Sequence, residues 1–473
     1  MRNTENLKLF WRNCLTVRQA GNIIICFSKY CLQIVSDGGG DKKGCSLLQI
    51  SCSLESDLDE VLMPVSVIST GHLTRPEVRI GQVTISRNSS WIHLDSCLRG
   101  LVKTYLDCLD PEHSLELTSQ SMVCYQCGNI RWQHLLFLLQ YFYLFLYRRV
   151  FKNPEPERRP SLLPDTRIWI SFRGGTDRGS LEDLSFISLL PRTTLAQCVS
   201  TVWKYQRAIL VGPPASGKSF LATKLAEYLV LKSGQELTPD SVCLFAANQE
   251  QNQWEEFLST LRSRPPTVII LDNIQTTNIQ HILDKLGPTI EETPFLLCTS
   301  TEQVKEVNER LQLAEITLGN DVDVLQGLLG RVLRRKMLNI EVGTRLANLD
   351  IPEAIQWLLR IYCNLYIFVK TTSHTQSFLS PSVFMSCPVD STQHLKTWFI
   401  DHWNSSQIPR LRQVTRQNQE QRVDWEDPVK FVLRTWPWRD EVEGLAQTLL
   451  TVNTRRISEP SNAKDDPLVI SQL

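Results

Sequence analysis

The string GPPASGKS, residues 212–219, limits what this chain can fold into more than any other stretch. It follows the apolar run RAILV and leads into FLATKLAEYLVLK. It fits the pattern GxxxxGK[ST] at every fixed position, and it stands between an expected strand and an expected helix, the context such a loop needs. The glycines let the backbone turn tightly enough for successive N–H groups to point inward at phosphate oxygens. Lys218 is expected to reach the β- and γ-phosphates and Ser219 to ligate Mg²⁺. The helix that begins there adds its positive end. Gly212, Pro213, Pro214, Ala215, Ser216, Gly217, Lys218 and Ser219 are therefore the expected nucleotide-binding residues, with ATP and Mg²⁺ as cofactors.

A loop of this kind calls for a parallel sheet. RAILV, VCLFA, TVIILD and FLLCTS are short apolar runs without strict alternation, as strands buried on both faces require. Phe220–Lys232 reads as a helix closed by Gly234. Such sheets take ligands at the carboxyl ends of their strands. TVIILDN places Asp272 at such an end, where it is expected to share the metal with Ser219. Asn273 follows, where many ATPases carry a water-activating glutamate. An amide can hold a water but cannot take its proton, so turnover and binding without turnover both stay open. Thr301, in CTST at the end of the next apolar run, is the candidate γ-phosphate sensor. Arg331 and Arg334, in GLLGRVLRRK, are expected on a short helix past the fifth strand. Either could act as an arginine finger toward a neighbouring subunit; the alternative is a solvated basic face.

Upstream the rhythm differs. EVRIGQVTI alternates and is β-branched, as a strand does. Leu94, Cys97, Leu98, Leu101, Val102, Tyr105 and Leu109 then recur at helical spacing until Asp110-Pro111. SMVCYQC and RIWISFR supply further strands, the latter with Ile168, Ile170 and Phe172 on one face. Hairpin, helix and more strands fit a small β-grasp fold. Residues 129–160 interrupt it with the apolar LLFLLQYFYLFLY, Leu135–Tyr147, and the run NPEPERRP. A spanning helix needs about 20 apolar residues, so no stable membrane insertion is expected.

Lys+Arg and Asp+Glu balance at 50 each, so no global field favours nucleic acid or an anionic membrane. The fourteen cysteines lack paired spacing beyond one CxxC, Cys124 and Cys127. With no secretory pattern at the N-terminus, reduced thiols in a cytosolic or nuclear protein are expected.

The order of loop, TVIILDN, polar strand end and GLLGRVLRRK resembles an AAA+ ATPase module. ATKLAEYLVLKSGQEL, SPSVFMSCPVDS, WFIDHWNSSQIP, WEDPVKFVL and TWPW narrow the resemblance to the C-terminal region of the neuron navigator family, with cortactin-binding protein 2 as a related module. RIGQVTISRNSSWIHLDSCLRGLVKTYL resembles the ubiquitin-like domain of the same family. Where Ser382 and Thr301 stand, the family pattern has arginine and asparagine; residues 131–159 have no family counterpart. The resemblance implies a longer protein, with microtubule-associating and coiled-coil regions ahead of this one. It also implies homo-oligomers formed through the AAA+ domains, cytoskeletal partners and a cytoplasmic, cytoskeleton-associated location. The expected processes are cell migration, neurite outgrowth and axon guidance.

The expected architecture is thus α/β: an AAA+ P-loop parallel sheet with a helical lid, preceded by a small α+β ubiquitin-like (β-grasp) domain. The expected boundaries are 1–75 unassigned and partly flexible, 76–175 ubiquitin-like with the insertion at 131–159, 180–340 nucleotide-binding, 341–445 lid, and 446–473 a disordered tail. The alternatives to an ATP-driven assembly protein are a hydrolysis-deficient, nucleotide-stabilised scaffold and a helicase-like nucleic-acid motor. The charge balance counts against the motor.

Overall fold

A computed structural model describes the strands between 15 and 34 and residues 43–51, 61–133, 167–246, 257–275, 295–301, 313–372, 380–417 and 427–452, short breaks within these stretches aside. The apolar stretch Leu135–Tyr147, NPEPERRP and Trp425 lie outside the described residues, as does the tail beyond 452. Among the described residues, no helix is long and apolar enough to cross a membrane.

Three strands, β1 (Leu15–Gln19), β2 (Asn22–Phe27) and β3 (Tyr30–Ile34), form an antiparallel sheet ahead of the short strands β4 (Lys43–Cys45) and β5 (Gln49–Ser51). The β-grasp domain follows. Its strands are β6 (Val61–Ile68), β7 (Glu77–Ile85), β8 (Met122–Cys127), β9 (Ile130–Gln133) and β10 (Ile168–Phe172), with helix α1 (Trp91–Leu109) between β7 and β8. The sheet runs β5-β7-β6-β10-β8-β9, with β6 and β10 parallel at its centre. Its sheet includes β5 and β6, both ahead of the expected start at 76. VLMPVSVI carries a proline, and its outward residues are not polar enough for the alternation that reveals a half-buried strand.

The core of this domain follows from the periodicities. Every α1 residue expected on the apolar face is buried, together with Trp91 and Leu106. Ile168, Ile170 and Phe172 face it from the sheet. Ser90 caps α1 by accepting from the His93 N–H at 3.2 Å. Past its end, Asp110 accepts from the Leu115 N–H at 2.7 Å. The two cysteines of the CxxC lie on β8 at an odd spacing, which points them to opposite faces. Burial pushes the Cys127 thiol up to about 11.

Two helices, α2 (Glu182–Ser188) and α3 (Arg192–Tyr205), lead into the second sheet. Its strands are β11 (Arg207–Val211), β12 (Val242–Ala246), β13 (Val268–Asp272), β14 (Phe295–Ser300) and β15 (Ala314–Thr317), and helix α4 (Lys218–Lys232) follows β11. The order is β12-β13-β14-β11-β15, with β12, β13 and β14 parallel. All four expected strands are present. Gly234, at φ +77°, ends α4 as expected. The chain crosses the sheet so that β11 lies between strands far from it in sequence, the reversal at which parallel sheets open a ligand crevice.

The remaining helices, residues 338–348 excepted, form a unit of their own with the loop Val211–Lys218 and residues 317–337. They are α5 (Val322–Thr344), then, after the short strand β16 (Leu346–Asn348), α6 (Ile351–Thr372), α7 (Ser382–Met385), α8 (Thr392–His402), α9 (Ile408–Gln417), α10 (Pro428–Thr435) and α11 (Val442–Thr448). The short helix expected at GLLGRVLRRK is thus part of a helix of 23 residues. An aromatic cluster organises this unit. Trp357, fully buried, meets Phe399 at 4.7 Å and Trp436 at 5.0 Å, both edge-on, and its Nε1 donates to Thr435 Oγ1 at 3.1 Å. Packing continues past the expected end at 445. Leu449 and Val452 are buried, and Trp403 Nε1 donates to the Leu450 carbonyl at 3.0 Å.

Replacing Trp357 with alanine removes the centre of that cluster and the donor to Thr435 Oγ1, whose own hydroxyl still donates to the Phe431 carbonyl. Trp357→Ala is expected to cost about 3–5 kcal/mol, read as a lower urea midpoint for the helical unit. A change under about 1 kcal/mol would contradict this packing account.

Candidate functional site

The loop between β11 and α4 is built by two glycines and a lysine. A Cβ at Gly212 would collide with the Leu318 carbonyl oxygen, so only glycine lets these two backbone segments pass. Leu318 N–H in turn donates to the Val211 carbonyl at 2.6 Å. Gly217 takes φ +84°, a left-handed conformation that side chains resist. Lys218, almost fully buried, folds its ammonium back onto its own loop: Nζ donates to the carbonyls of Gly212 at 2.8 Å and Pro213 at 2.7 Å. Ser216 is buried too, and its Oγ has no hydrogen-bond partner among the described residues. Ser219 is exposed on the first turn of α4; Ala215 lies outside the described residues.

A residue that sequence reading passes over reaches the same loop. Ser380, just before α7, donates to the Pro214 carbonyl at 2.6 Å and pairs with the Ser382 hydroxyl at 2.8 Å. A pair of serine hydroxyls thus holds the loop by short hydrogen bonds. No local signal marks Ser380, because the contact joins residues far apart in sequence.

Asp272 ends β13 as expected. Its Oδ1 accepts from Thr299 Oγ1 at 2.6 Å, and the same hydroxyl accepts from the Asn273 N–H at 2.8 Å. Asn273 has φ +58°, a left-handed turn that asparagine tolerates. The hydroxyl that meets Asp272 is therefore Thr299, buried within β14, while Thr301, the candidate γ-phosphate sensor, follows the strand's last residue. The register could have shown it. Leu271 pairs with Cys298, which sets Thr299 beside Asp272.

Arg331 and Arg334, the arginine-finger candidates, lie on α5. They are only 2% and 8% exposed within their own chain. A Cβ on Gly327 would stand 3.1 Å from the Arg331 guanidinium, and one on Gly330 would stand 3.2 Å from Arg334 Nη1. The small residues one turn earlier make room for both guanidinium groups to lie along α5. Both are buried within this chain and do not form a solvated face.

The loop fits a phosphate-bearing ligand. The loop has a backbone that only glycine permits, a lysine beside it and a buried serine hydroxyl with unused capacity. Asp272 retains a second carboxylate oxygen beyond the one Thr299 uses.

Comparison with known proteins agrees domain by domain. Residues 61–135 match the neuron navigator 1-like ubiquitin-like domain. Residues 207–337 match the AAA domain of the dynein-related subfamily, and residues 339–449 the NAV1-like AAA+ ATPase lid domain. Human neuron navigator 2 is 30% identical over 76% of this chain, and human neuron navigator 1 is 28% identical over 80%. The adapter protein unc-53 of Caenorhabditis elegans is 24% identical over 84%. The chain spans only 14%, 20% and 23% of the lengths of these relatives.

Thr299→Val is expected to strand the Asn273 N–H and one Asp272 oxygen, lowering stability by about 1–3 kcal/mol, while Thr299→Ser retains most of it. Thermal unfolding of the two variants checks this; equal loss from both would contradict the hydroxyl's role.

Proposed function

Because the chain belongs to the neuron navigator family, we propose that its AAA+ module binds ATP with Mg²⁺ and serves an assembly of cytoskeleton-associated, cytoplasmic protein. The buried Ser216 hydroxyl beside Lys218, in a loop whose backbone only glycine permits, carries this reading. Lys218 would exchange its two carbonyl partners for the β- and γ-phosphates, an ammonium being better matched by anionic oxygens than by neutral ones. Ser219 and Asp272 would hold the metal, with Thr299 orienting Asp272. When bound, Mg²⁺ would supply positive charge that offsets that of the phosphates. Family membership supports homo-oligomers and cytoskeletal partners, with roles in cell migration, neurite outgrowth and axon guidance. The even balance of charge supports no nucleic-acid partner.

Asn273 favours a second reading at the same site, a nucleotide-stabilised scaffold that turns ATP over slowly. Its amide cannot accept the proton of an attacking water, and its backbone is fixed by Thr299. The experiment compares ATP turnover and particle size by light scattering for the wild-type chain and Lys218→Ala. ATP-dependent growth in size that Lys218→Ala abolishes supports the assembly reading. Such growth with turnover near background selects the scaffold. No effect of ATP on either quantity would contradict both.

A further inference from the structure

A buried cluster of charge joins the ubiquitin-like domain to the helix that follows the phosphate loop. Loop 69–76, between β6 and β7, contributes Ser69, His72 and Thr74; α2 contributes Asp183; α4 contributes Lys224 and Glu227. His72 Nδ1 lies 2.5 Å from Glu227 Oε2, and Lys224 Nζ donates to the same oxygen at 2.8 Å. Ser69 Oγ donates to Asp183 Oδ2 at 2.5 Å, and His72 Nε2 stands 3.9 Å from that oxygen. Lys224 also reaches Thr74 Oγ1 at 3.4 Å. All four ionisable side chains are at most 6% exposed. The loop packs close at Gly71, where a Cβ would sit in ordinary contact, 3.5 Å from both Asp183 and Leu231.

Such a cluster is costly to bury unless its members are paired, and removing one leaves its partners charged and dry. Burial pushes Asp183 above the usual carboxylate range, against the pull of Ser69 and His72. Burial acts the same way on Glu227, but hydrogen bonds from His72 and Lys224 outweigh it and hold that carboxyl below its usual value. Lys224, Glu227 and Leu231 share one face of α4 at helical spacing. At 1.5 Å per residue, Lys224 lies about 9 Å along the axis from Lys218. A rotation or slide of α4 released at this face is therefore carried to its first turn, where Ser219 stands.

We propose that His72 is a positioning residue for the nucleotide site: the ubiquitin-like domain is an arm built into the AAA+ core that fixes α4 through Glu227. The affinity readout rests on the ATP-binding reading; the exchange readout does not. The experiment uses the full chain as wild type, His72→Ala, Glu227→Ala, the double variant and His72→Asn, whose amide nitrogen replaces Nδ1. ATP affinity is measured by titration and backbone hydrogen exchange over residues 218–232 by mass spectrometry. Each single alanine variant is expected to weaken ATP binding about tenfold, the double variant no further, and His72→Asn to recover most of the loss. Exchange over 218–232 is expected to quicken in the alanine variants and return in His72→Asn. Unchanged exchange and affinity in His72→Ala would overturn the proposal, as would fully additive losses. If wild type itself bound no ATP, the nucleotide reading would fail, and the exchange result alone would decide for or against the clamp.

Discussion

The turn from β11 into α4 depends on a close approach of backbone to backbone. Gly212 passes against the Leu318 carbonyl with no room for a side chain. That contact fixes the loop against the segment leading to α5, and the loop's carbonyls then receive Lys218. A loop closed in this way carries its own counter-charges. Its buried lysine is held by hydrogen bonds to two of the loop's own carbonyls, which offset part of the cost of burying the charge. The same geometry sets the competition a phosphate must win, and anionic oxygens win it over neutral carbonyls.

A second constraint lies at the ends of the parallel strands. Thr299 gives one hydroxyl to two tasks, accepting from the Asn273 N–H and donating to Asp272. The turn after β13 and the orientation of its carboxylate are thereby one structural event. The buried cluster around His72 applies the same economy at larger scale. One glutamate oxygen serves both a histidine from the ubiquitin-like domain and a lysine on its own helix.

What the sequence made legible was local. The phosphate loop, the four apolar strands, α1 with its stop at Asp110, and the aspartate of TVIILDN each follow from spacing within a few residues. Trp403 and Trp436 are buried in the helical unit, as large aromatics tend to be, but Trp357 at its centre gave no sign within a helix rich in apolar residues. What stayed hidden depends on register or on distant segments. Thr299 emerges only when β13 is aligned with β14. Ser380 and His72 reach partners more than a hundred residues away. The burial of Arg331 and Arg334 shows only when the glycines one turn earlier are seen to receive them.

The measurement that tests the account most directly is equilibrium binding of ATP to the full chain, by titration calorimetry with and without Mg²⁺. Saturable binding that tightens with Mg²⁺ is the predicted result, since Lys218 and Ser216 address the phosphates while Ser219 and Asp272 address the metal. Absence of binding in both conditions would contradict it and leave the loop as a structural turn.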